Sequence, residues 1–135
     1  VIHIHDIQHL LNNCDTSCKD EGCIAGWEIC AGIWKYFPIC FFSIRAMGYK
    51  HWLFPRAVYD GFKKGLNDIG IIDLKIKEAD FLKMEFDELV QITQKNYHTP
   101  MGVIQLIQFL FWCFLSQLLF LSPIIFVAGL TMWLI

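Results

Sequence analysis

The sequence predicts an all-α membrane protein, and three observations lead there. Of its 135 residues, 56% are hydrophobic and only 18% are charged, more apolar surface than a soluble domain of this size can hide. From Asn96 to Ile135 there is no Asp, Glu, Lys or Arg. Over much of the remainder, apolar residues recur at helical spacing. The net charge of -2 supplies no basic field to hold phosphates, so no nucleic-acid partner is expected.

Residues 1–23 read as a Cys/His-containing N-terminal segment. His5 and His9, four residues apart, share a helical face and, with His3 nearby, form an array suited to zinc together with Cys14 or Cys18. Paired Cys-x-x-Cys spacing is missing, so no metal ligand or cofactor is assigned. Disulfides are the leading expectation for Cys14, Cys18, Cys23, Cys30 and Cys40, with one or two bridges among the first four and the connectivity open. On one straight helix Cys30 and Cys40 would stand about 15 Å apart, so any bridge from either must reach another segment.

Residues 24–44, IAGWEICAGIWKYFPICFFSI, predict an apolar helix and a candidate second membrane span, bent at Pro38. Glu28 and Lys35 interrupt it. Two turns apart, they would share a face with Ala31 and Gly32 between them, a stripe suited to a close protein neighbour. The competing reading is an amphipathic helix on the surface or inside a soluble part.

Residues 45–98 predict interfacial and amphipathic helices. Aromatic and basic residues alternate through GYKHWLFPRAVYDGFKKG, where Arg45, Lys50, Trp52, Arg56, Lys63 and Lys64 suit a lipid headgroup layer, including an anionic lipid such as cardiolipin. Pro55 starts a helix on which Val58, Phe62 and Leu66 form a stripe, expected to lie flat on the bilayer. GIIDLKIK at 70–77 alternates like a short strand, and residues 78–97 return to a helical pattern with Leu82, Phe86, Leu89, Val90 and Thr93 on one side. If 24–44 also crosses, nine of the eleven basic residues fall in 45–98 and place that region on the cytoplasmic or matrix side. With one crossing, the cysteines lie on the reducing side as free thiols.

Residues 99–135 predict a transmembrane helix kinked near Pro123. A bilayer crossing needs about 20 apolar residues, and 101–122 supply them. The twelve residues after Pro123 would reach only about 18 Å, too short for a second crossing. Gln105, Gln108 and Ser116 fall near one face, where their polar groups predict contact with another helix.

No metalloprotease, nucleophile-elbow or phosphate-loop motif is present, and the chain is expected not to be an enzyme. The function expected is a non-catalytic accessory subunit of a multi-protein membrane complex. Small size, cysteines on one side and a basic-aromatic belt suggest a mitochondrial inner-membrane respiratory chain or ATP synthase complex, with membrane lipid and other subunits as partners. The alternatives are a disulfide-bonded single-pass glycoprotein and a small metal- or haem-binding membrane protein, with His51 and His98 as the haem candidates.

Overall fold

The computed structural model describes residues 2–15 and 17–135. Helices α1 (Ile2–Leu11), α2 (Cys18–Ala31), α3 (Ile39–Leu53) and α4 (Pro55–Gly65) are followed by two short ones, α5 (Glu78–Phe81) and α6 (Phe86–Thr93). The chain ends on α7 (Val103–Leu134), which is long and apolar enough to cross a membrane. Among the described residues there is no strand.

At the centre lies α2. Ser17 caps its start by accepting a hydrogen bond from the Asp20 amide, with Asp20 and Glu21 in the positive first turn. Ile24, Trp27 and Ile29 are all buried, although they point in different directions around the helix. Ala25 and Ile29 join Met47, Val58, Phe62 and Phe109 in one apolar cluster, while Trp27 joins Ile7, Ile71, Phe81 and Leu89 in another. Apolar side chains that leave a helix in several directions need cover in each, and here protein supplies it.

Closest to α2 lies α4, and the approach depends on glycine. A Cβ on Gly26 would overlap the Val58 carbonyl, and one on Gly61 would overlap the Cys23 carbonyl. Gly22 lies against Ala57 and Val58, and Gly65 against Trp27 and Cys30, so the two helices run in the same direction. Each carries glycines four residues apart, which share one face and let the backbones touch.

The single helix expected over 24–44 is divided. Gly32 ends α2 in the left-handed region, at φ 100°, its amide bonding back to Glu28 and Ile29 carbonyls. A 3-10 turn, Ile33–Lys35, and Pro38 then separate α2 from α3. The flat interfacial helix expected after Pro55 is also corrected: the Val58, Phe62 and Leu66 stripe of α4 and its following residue is buried in the core and faces no bilayer. Residues 71–74 form a 3-10 turn instead of a strand, because no neighbouring strand satisfies the backbone. The helix expected over 78–97 splits into α5 and α6, with Glu85 in extended conformation between them and Leu82 and Phe86 left exposed.

Packed across the domain, α7 buries Phe109, Cys113 and Ser116, one stripe at helical spacing. Gly48 of α3 meets the Ser116 backbone, Tyr49 stacks near Phe120, and His51 lies against Phe109 and Cys113, so α3 and α7 run in opposite directions. As one helix, α7 continues through Pro123 to Leu134. Proline withdraws the amide that would bond the Leu119 carbonyl, and the Ser122 hydroxyl donates to that oxygen at 2.8 Å instead. From Ser122 onward every residue is exposed.

Candidate functional site

Where α1 crosses α2, two imidazoles and two carboxylates gather. His5 and His9 lie one turn apart on α1, their Nε2 atoms 3.2 Å from each other. From the first turn of α2, Glu21 reaches both, with Oε1 3.1 Å from His9 Nε2 and Oε2 3.7 Å from His5 Nε2. On the far side of the His5 ring, Nδ1 faces Glu28 Oε1 at 3.7 Å. Glu28 is in turn held by α3, whose Ser43 hydroxyl donates to Oε2 at 2.9 Å.

Charge follows from this arrangement. Glu28 and Glu21 favour the protonated ring, raising the pKa of His5 despite the opposing effect of partial burial. His9 is only 6% exposed, and its Nδ1, like Gln8 Oε1 and Asn12 Oδ1, is buried without a hydrogen-bond partner among the described residues. Beside the cluster opens a cavity of about 340 Å³. His5, Gln8, Glu21, Glu28, Ser43 and Lys50 form its polar wall, and isoleucines, alanines and Phe42 form the rest.

The histidine face expected from sequence is therefore present, but its neighbour is Glu21. The cysteines stand elsewhere: the Cys14 thiol donates to the Asn12 carbonyl and Cys18 is exposed, near Lys50 Nζ at 3.5 Å. The side chain of His3 lies outside the described residues. Burial, with the Cys23 thiol beside it, pushes the Cys14 pKa up to about 12, far from a ready thiolate. Cys14, Cys18, Cys23, Cys30 and Cys40 all carry free thiols, Cys30 and Cys40 being partly buried against the core.

Glu28 and Lys35 do not share a stripe, because the helix ends between them. Glu28 faces His5 and Ser43, while Lys35 pairs with Asp73 at 3.1 Å, and Asp73 also accepts from the Tyr36 hydroxyl. Of the polar residues on α7, Ser116 does meet a helix, α3 of the same chain, whereas Gln105 and Gln108 border an open cavity with Lys95 and Trp112. Sequence reasoning overlooked Gln117, which accepts from Trp52 Nε1 and donates to the Gly48 carbonyl at 3.0 Å. It also overlooked the glycine pairs, whose four-residue spacing was the available signal.

Among the headgroup candidates, Arg56, Lys63 and Lys64 project from the outer face of α4. Arg45 and Lys50 are half-buried on α3, and Trp52 is exposed there while bonded to Gln117. His51 contacts α7, whereas His98 sits on the exposed surface beyond α6. Comparison of the chain with protein-family models, with curated proteins and with solved structures finds no match.

Proposed function

We propose that this chain is a membrane-anchored, non-catalytic accessory subunit of a larger membrane assembly, held by α7 with its helical domain at one face of the bilayer. One observation carries the reading. At 32 residues α7 is about 48 Å long, well beyond the roughly 30 Å of hydrocarbon, and only its first half is covered by the domain. From Leu118 to Leu134 it extends about 26 Å, within the range of a single crossing. This moves most of the crossing beyond the C-terminal end of the 101–122 window expected from composition.

The chemistry of the bare half supports lipid as its surroundings. Its hydroxyls are satisfied inside the helix, Ser122 on the Leu119 carbonyl and Thr131 on the Ala128 carbonyl, both at 2.8 Å. Tyr49 and Trp52, exposed on α3 beside Phe120 and Gln117, stand where the headgroup layer would begin, and Trp133 stands near the other end. A headgroup contact for the basic residues of α3 and α4, with cardiolipin as one anionic candidate, fits this placement. Residues 24–44 cross nothing in this reading, since their helices are spent on the core.

Partner subunits are the second half of the proposal. Trp34, Phe37 and Phe42 stay exposed near the start of α3, and Gln105 and Gln108 face an open cavity of about 530 Å³ next to α7. Amides and aromatics together suit the packing of another membrane helix. A mitochondrial inner-membrane respiratory chain or ATP synthase complex is the setting suggested by small size and the basic-aromatic belt, and the anchored-subunit reading does not depend on it.

Extraction in mild detergent followed by native electrophoresis and identification of co-migrating proteins tests the assembly. A defined larger complex is expected, and a stable lone monomer overturns the reading. In sealed vesicles, thiol labelling of Cys18 and of a cysteine placed at Lys63 is expected from the same side. Labelling from opposite sides restores a second span.

A further inference from the structure

We infer that His5, His9 and Glu21 hold one divalent transition-metal ion, zinc by ligand chemistry, which pins α1 to α2 and leaves a coordination position open beside the 340 Å³ cavity.

The distances make the case. Zinc binds imidazole nitrogen and carboxylate oxygen at about 2.0–2.2 Å, so neighbouring donors in a tetrahedral site stand about 3.3 Å apart. His5 Nε2 and His9 Nε2 stand 3.2 Å apart, and Glu21 meets them through different oxygens, Oε1 3.1 Å from His9 and Oε2 3.7 Å from His5, so that one ligand atom from each residue lies within 4.8 Å of the other two. The donors thus gather around one point, and a turn of the Glu21 carboxylate closes the longer edge as an ion enters. Two imidazoles and a carboxylate form a borderline-soft set of the kind that suits zinc, whereas calcium and magnesium favour all-oxygen sites.

Independent support comes from the outer groups. A metal-bound histidine is ordinarily oriented through its other nitrogen by a carboxylate, itself hydrogen-bonded. His5 binds through Nε2 and turns Nδ1 to Glu28, and Ser43 holds Glu28 from a third helix. Glu28 is a positioning residue in this scheme. A plain ion-pair cluster does not require it to sit on the opposite edge of the ring from Glu21.

His5 and Glu21 also line the cavity, so water or an occupant with a donor atom can complete the coordination. The polar wall meets an apolar one there, which suits a small amphipathic ligand better than an ion alone.

The test uses the full-length chain in detergent, stripped with chelator, dialysed against zinc and assayed by atomic emission. One zinc per chain is expected, with at least tenfold weaker binding in His9→Ala and in Glu21→Gln, and unchanged binding in Cys14→Ser with Cys18→Ser. Glu28→Gln is expected to weaken binding about tenfold while keeping the stoichiometry. Far-UV circular dichroism checks that each variant keeps its helices. Should a variant unfold, cobalt substitution of the intact chain decides: visible bands of a four- or five-coordinate nitrogen/oxygen site are expected, without thiolate charge transfer in the near ultraviolet. Absence of stoichiometric metal, binding that survives loss of both histidines, or a thiolate signature overturns the inference.

Discussion

Helices α2 and α7 both fall in segments read from sequence as membrane spans, yet their surroundings differ. On α2, side chains in every direction are buried, and Trp27 retains 1% of its surface. On α7, one stripe is buried over the first half and nothing is covered from Ser122 onward. Length separates them first, since 14 residues reach about 21 Å and 32 reach about 48 Å. Glycine separates them next. Gly22 and Gly26 let α4 close on α2, whereas a Cβ on Gly129 of α7 would meet no atom within 4 Å. The apolar helix that protein can approach becomes core, and the half of α7 that the domain does not reach stays exposed on a helix long and apolar enough to cross a membrane.

Substitution of the tryptophans gives the widest contrast. Trp27→Ala removes a fully buried ring and its 2.7 Å hydrogen bond to Asp68, and about 4 kcal/mol of domain stability should be lost in thermal unfolding in detergent. Trp133→Ala, on an exposed ring, should leave that transition in place. Equal losses would mean that the end of α7 also belongs to the folded domain.

A charge on the bare half tests the other side of the comparison. Phe126→Lys should oppose insertion by about 3 kcal/mol and raise the fraction released by alkaline extraction of membranes. Ile104→Lys, equally exposed but beside the domain, should have little effect. A reversed order would return the crossing to the first half of α7.

Glycine substitutions sharpen the packing argument. Gly61→Ala drives a methyl into the α2 backbone and should cost about 2 kcal/mol, read as a lower unfolding temperature. Gly129→Ala should be neutral or stabilising by less than about 1 kcal/mol. A smaller loss than that of Gly61→Ala is expected of Gln117→Leu, which removes two hydrogen bonds between α3 and α7 and should cost about 1 kcal/mol, seen as faster proteolysis near Gly102.

Much of this was legible in residue order. The charge-free run from Asn96 marked α7, the His5–His9 spacing marked one face of α1, and Pro55 marked the start of α4. Other features were not, because they depend on residues distant in sequence. Glu21 looks like an ordinary first-turn acid until α1 lies across it, and Gln117 like a tolerated amide until Trp52 and Gly48 arrive beside it. The stripe of Val58, Phe62 and Leu66 was correctly read as apolar, but its covering was assigned to lipid when α2 and the rest of the core supply it.

By itself, the sequence determined that the chain is helical, that its C-terminal helix carries an uncharged apolar surface, and that two imidazoles share a face, because these follow from composition and local periodicity. Tertiary structure alone decided which apolar surface is hidden in protein and which carboxylate meets the imidazoles. Hydrophobicity has no direction and favours any dry neighbour. The partner is selected by shape, by where two glycine faces allow backbones to touch and where a helix simply outruns the domain.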